Sequence, residues 1–125
     1  MSIVNKQWEF LQDVIKLLDE AKRLGFTVTG GELYRPLEMQ KLYISSGRSK
    51  TMKSSHLDRL AIDFNFFIKN EKDELKLTWD RKIIKPLGDF WERLRPENRW
   101  GGSWRGLIDK GQSKFVDVPH FERKE

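Results

Sequence analysis

The sequence predicts a single α+β domain. Two stretches carry apolar residues at the spacing of about 3.6 that marks an amphipathic helix. The run "RLAIDFNFFI" is dense in β-branched and aromatic strand formers, and polar or Gly-rich turns separate these segments. At 125 residues the chain is long enough to bury one ordinary core.

Residues 5–24 form the first predicted helix. Trp8, Leu11, Ile15 and Leu18 repeat along one face, flanked by Val14, Leu17 and Ala21, and Gly25 is a natural stop. "FTVTGGELYR" follows as a strand and turn, because β-branched and aromatic residues precede a Gly pair. Pro36 suits the first turn of a second helix, "PLEMQKLYISS", which Gly47 ends. The polar "GRSKTMKSS" reads as loop, "RLAIDFNFFI" as a central strand and "ELKLTW" as a short edge strand. From Asp80 to Leu94, the residues Ile83, Leu87, Phe90, Trp91 and Leu94 mark another helical face, which Pro86 should kink or divide. The remainder is Gly-rich loop leading into a final strand around Phe115 to Phe121. Trp8, Trp79 and Trp91 are expected in the core.

Composition narrows the chemistry. Cysteine is absent, which excludes disulfides, thiolate metal sites and cysteine nucleophiles, so a transition metal would be held by nitrogen and oxygen. No apolar run approaches the roughly 20 residues of a membrane span. The start "MSIVNKQWEF" lacks the basic then apolar pattern of a secretory signal. A net charge of +5 favours polyanionic surroundings, either nucleic acid or an anionic envelope. The basic residues are scattered rather than gathered in an arm or stripe, and no specific nucleic-acid complex is expected.

The chain has two histidines, His56 in "KSSH" and His120 in "DVPH". Residues on one face of a strand lie an even number apart, so His56 and Asp63 can share a site only if His56 belongs to the turn entering the strand. Asp63 itself lies between Ile62 and Phe64, where a carboxylate needs a cation, a set of donors or a metal. Two histidines and one carboxylate, with water in the fourth position, would make an open catalytic zinc site. Asp117, three residues ahead of His120, could then accept a proton from that water. The same residues also allow His56 to cap a turn, Asp63 to pair with an arginine and His120 to sit on the surface. Spacing leaves both arrangements open.

Longer segments carry a resemblance. "SSHLDRLAID" resembles the Ser-x-His-(x)6-Asp signature of zinc peptidases that cut bacterial peptidoglycan, among them D-alanyl-D-alanine carboxypeptidases and dipeptidases. "DVPH" is similar to their second signature, an acidic residue three positions before histidine. "GELYRPLEMQKLYISSG" resembles their segment of an Arg after a strand, a helix bearing Gln and a closing Gly. "RWGGSWRGLIDKGQSKFVDVPHFE" resembles the Trp-Gly-Gly-x-Trp approach to the last ligand in phage L-alanyl-D-glutamate endopeptidases. The similarity runs from about Thr27 to Phe121.

The resemblance implies a small antiparallel sheet around a zinc site with flanking helices, the D,D-peptidase/hedgehog-like arrangement. It implies zinc on His56, Asp63 and His120, Asp117 as general base and then acid, and Arg35 stabilising charge on the scissile carbonyl. Ser54 is either a supporting hydrogen-bonder or a plain turn serine, Gln40 would face the site, and of two nearby tryptophans Trp100 is assigned to the core and Trp104 to the cleft. Asp58 is a spare carboxylate near His56 and a candidate partner to orient its imidazole. Many family members have Gly at the position of Arg59, so the local turn must accommodate a side chain. The implied activity is hydrolysis of the L-alanyl-D-glutamate bond in stem peptides by a monomeric phage or prophage endolysin. Such an enzyme would collect in the host cytoplasm and reach the wall after membrane breach. The alternatives are D,D-carboxypeptidase or dipeptidase activity on D-Ala-D-Ala, and a non-catalytic wall-binding or nucleic-acid-binding module, for which Asp117 would have no use.

Overall fold

The computed structural model describes residues 2–33, 37–45, 55–113 and 115–124. Helix α1 (Ile3–Arg23) begins where the Ser2 side chain accepts the Asn5 N–H, and Lys22 and Arg23 complement the dipole at its other end. Its buried face is Phe10, Val14, Leu17 and Ala21. This corrects the expected face: Trp8, Leu11, Ile15 and Leu18 are exposed, Trp8 to 57%. The helix is apolar over two adjoining stripes, and packing against the rest of the fold covers only one. The covered stripe includes Asp13, whose buried carboxylate accepts from Arg95 Nε at 2.9 Å and Asn98 Nδ2 at 3.2 Å.

Strand β1 (Thr27–Gly30) is followed by α2 (Leu37–Ser45) and a one-turn 3-10 helix at Ser55–Asp58. The central strand β2 (Ala61–Lys69) pairs antiparallel with β1 on one side; on the other it meets β5 (His120–Arg123) and then β3 (Leu75–Thr78). Between these, α3 (Arg81–Leu94) is capped by Asp80 and runs through Pro86 undivided, and β4 (Asn98–Trp100) closes the sheet beside β5. The α+β class and the antiparallel sheet match the sequence reading.

The core is aromatic. Phe121 on β5 lies within 6.0 Å of Phe64, Phe66 and Trp91 and stacks against Trp100 at 6.4 Å. Trp91 and Trp100 are fully buried, and their indole N–H groups donate to the carbonyls of Glu122 and Val118. Trp79, expected inside, is 60% exposed at the end of edge strand β3, where the sheet offers it no cover. The final strand is also displaced: it begins at His120 rather than Phe115, because regular pairing with β2 starts only beyond Pro119, which has no N–H to offer. β4 falls in a stretch read as loop.

Candidate metal centre

The antiparallel register of β2 and β5 sets Asp63 directly opposite His120. The backbone of Asp63 is pinned: its carbonyl accepts from Gly31 at 2.8 Å and its N–H donates to Glu32 at 2.9 Å. Asp117 arrives from the loop before β5 and is tied to the end of β4. Its N–H donates to the Gly101 carbonyl at 2.8 Å, while the Gly101 N–H donates to the His120 carbonyl at 2.8 Å. This approach is so close that a Cβ on Gly101 would lie 2.1 Å from the Asp117 carbonyl oxygen. Only glycine fits there.

These backbones aim three side chains at one point. His120 Nδ1 is 3.2 Å from Asp63 Oδ1 and 4.0 Å from Asp117 Oδ2, and the candidate ligand atoms of the three residues lie within 4.8 Å of one another. The other ring nitrogen, Nε2, is 2.7 Å from Glu122 Oε1. Arg99 in turn donates to Glu122 Oε2 from Nε at 2.9 Å and from Nη2 at 2.5 Å. Trp104 covers this row, its ring 5.4 Å from that of His120 and 5.2 Å from the Arg99 guanidinium. Its indole N–H donates to the Phe115 carbonyl at 2.7 Å.

Electrostatics follow from the geometry. Burial alone would disfavour a charged imidazole, but hydrogen bonds to Asp63 and Glu122, with their negative charges, raise the His120 pKa to about 9. Burial likewise pushes Glu122 up, yet His120 and Arg99 together hold its carboxyl below the ordinary range. Two carboxylates converging on one ring nitrogen form a pocket that demands positive charge. With no cysteine thiolate in the chain, the nitrogen and oxygen donors suit a divalent ion of the zinc type.

Of the residues singled out in the sequence, Asp63, Asp117 and His120 are thus together. The backbone of His56 lies in the 3-10 turn Ser55–Asp58 that leads into β2, as a shared site with Asp63 requires. The side chains of His56 and Gln40, and Arg35 and Ser54 entirely, lie outside the described residues. Trp100 is core, whereas Trp104 is half-buried against His120. Arg59 adopts φ +55, the left-handed conformation in which glycine is favoured. Asp58 is exposed, and its carbonyl accepts from Gln7. The imidazole of His120 is held by a different carboxylate, Glu122. The sequence signal for Glu122 is its spacing: two residues apart on a strand means one shared face, and "HFE" carries that signal.

A family model described as phage L-alanyl-D-glutamate peptidase matches residues 3–123. The chain belongs to the phage L-alanyl-D-glutamate peptidase family. The match takes in every strand and the whole Asp63, Asp117, His120 and Glu122 row. An L-alanyl-D-glutamate peptidase of Listeria phage A118 is 32% identical over 108 residues, covering 86% of this chain and 34% of that protein. The chain therefore spans about a third of the length of that phage relative. The crystal structure of the Serratia marcescens L-Ala D-Glu endopeptidase ChiX superposes with a TM-score of 0.61 at 22% identity, covering 90% of this chain and 79% of that one, so the two share a fold. Among the described residues no helix is long and apolar enough to cross a membrane.

Proposed function

We propose that this chain hydrolyses the L-alanyl-D-glutamate bond of peptidoglycan stem peptides as a zinc-dependent endopeptidase. The observation that carries the reading is the convergence of Asp63 and Asp117 on Nδ1 of His120 in a chain of this family. His56, Asp63 and His120 would hold the ion. When bound there, the ion supplies Lewis acidity, polarising the scissile carbonyl and lowering the pKa of a water.

Asp117 takes the proton that the water gives up as it attacks, and returns it to the nitrogen of the leaving amine as the C–N bond breaks. Its side chain is a third exposed and its oxygen is farther from Nδ1 than that of Asp63, both of which suit a base outside the ligand set. Arg35 meets the negative charge developing on the carbonyl oxygen. Trp104 walls the site beside His120, and Ser54 and Gln40 support the bound peptide.

The physiological role that fits is a phage or prophage endolysin, a monomer released onto the wall once the membrane is breached. A net charge of +5 favours the anionic envelope over a specific nucleic-acid partner, with an attraction that weakens as salt rises.

The test is digestion of purified peptidoglycan with analysis of the new termini. New N-terminal D-glutamate (or its amide) on the released peptide and C-terminal L-alanine on the glycan side are expected, whereas free D-alanine or D-Ala-D-Ala would move the assignment to D,D-peptidase activity. Asp117→Ala should keep zinc and lose hydrolysis, and His120→Ala should lose both. A fully active Asp117→Ala would remove that residue as the base.

A further inference from the structure

We infer that Glu122, clamped by Arg99, is a positioning residue that decides which nitrogen of His120 faces the metal centre. The inference rests on the metal-peptidase reading above. It comes from a row of contacts across two paired strands. His120 and Glu122 are two apart on β5 and so share one of its faces, opposite Phe121. Arg99 is the direct cross-strand partner of Glu122 in the β4–β5 register.

The two oxygens of Glu122 have separate tasks. Oε2 accepts both guanidinium donors of Arg99, and Oε1 is left to Nε2 of His120. A cross-strand ion pair serving stability alone would not need that second contact. Glu122 is 5% exposed, so solvent is poorly placed to replace it as an acceptor. An imidazole whose Nε2–H is held by this carboxylate must present Nδ1 toward Asp63 and Asp117, and its lone pair becomes available there when the Nδ1 proton leaves. Without Glu122 the ring is free to take the other tautomer, or to flip about Cβ–Cγ and turn Nδ1 away. Trp104 packs against both His120 and Arg99, which restricts the ring further. Partners of this kind typically change metal affinity by about 10- to 100-fold.

The test measures zinc affinity of the whole chain by competition with a chromophoric chelator, alongside the side-chain nitrogen spectrum of the zinc-loaded protein. With only two histidines the spectrum is simple to assign. Wild type should show His120 coordinated through Nδ1 and protonated at Nε2. Glu122→Ala should bind zinc about 10- to 100-fold more weakly and lose that single pattern. Glu122→Gln, which keeps an acceptor oxygen, should recover part of the affinity. If Glu122→Ala fails to fold, the double variant Arg99→Leu with Glu122→Met removes the buried carboxylate together with its half-buried partner cation and should fold; the same loss is expected of it. A folded variant without the carboxylate that keeps wild-type affinity and the same nitrogen pattern overturns the inference alone. A wild-type chain that takes up no zinc overturns the metal centre and this inference with it.

Discussion

Gly101→Ala tests whether the close approach of two backbones is what holds the proposed base. The added Cβ would sit 2.1 Å from the Asp117 carbonyl oxygen and 3.0 Å from its carbonyl carbon, against the 3.4 Å at which ordinary contact begins. Neither atom belongs to a flexible side chain, so the segments must part by more than an ångström. The Gly101–His120 and Asp117–Gly101 hydrogen bonds, each 2.8 Å, cannot both survive that shift. Overpacking of about 1–3 kcal/mol, plus about 1 kcal/mol for a lost hydrogen bond, gives a destabilisation of roughly 2–4 kcal/mol. That is less than the stability of an ordinary domain, and the variant should still fold. Moving a catalytic group by about 1 Å costs on the order of 100-fold in rate. Hydrolysis of a defined stem peptide should therefore fall about 100-fold. Zinc should remain, because Asp63 is anchored through Gly31 and Glu32, and His120, even without its bond to Gly101, stays paired with β2 and held by Glu122. Gly30→Ala is the control, since nothing lies within 4 Å of the position its added methyl would take. A Gly101→Ala protein with wild-type rate and melting temperature would refute the argument.

Three further outcomes are expected. His120 has its pKa raised from 6.5 to about 9, so its contribution to stability is complete below about pH 6.5 and disappears as pH rises through about 9. Chelator-treated protein should lose on the order of 3 kcal/mol of stability across that window, read from urea midpoints, while zinc-loaded protein should not; a flat profile after chelation contradicts the clamp. Because Arg59 sits at φ +55, the β-branched Arg59→Val should be less stable than Arg59→Gly, which removes the same side chain, by about 1 kcal/mol or more, with the reverse order of melting temperatures sinking the assignment. Phe10→Ala should cost about 3–5 kcal/mol and Trp8→Ala less than about 1 kcal/mol, and equal losses in denaturation would return the core face of α1 to the stripe that periodicity favours.

Local signals located most elements because they are local: caps, Gly stops and strand formers lie within the segments they delimit. The choice of face on α1 was not local. Asp13 marks its stripe as polar to any periodic reading, yet Arg95 and Asn98, more than 80 residues away, neutralise it inside the fold. β4 and β5 depend in the same way on partners. Three residues at Asn98–Trp100 show no period, and "HFER" reads as polar until β2 and β4 flank it. The site divides along the same line. Asp63, Asp117 and His120 could be picked out from spacing with the family resemblance, and Glu122 was within reach of the two-residue strand period. Arg99 was not, since its place opposite Glu122 exists only through strand register.

The alternation of β5 links stability to chemistry. Its inward residues are gripped from two directions: Phe121 lies in the aromatic core, and Arg123 donates to Glu9 on α1 at 2.5 Å. Those contacts leave the pair on the opposite face, His120 and Glu122, little freedom to slide along the sheet. Asp63 is on a strand with its backbone bonded at both polar groups, while Asp117 is on a loop held at Gly101. The two carboxylates meet the same nitrogen with different mechanical support. A ligand gains from the stiffer position, because its distance to the ion must not change. A base that carries a proton from attacking water to departing amine must reach two places in turn, and the loop position allows that small movement. The proposed division of labour between Asp63 and Asp117 follows from how each backbone is held.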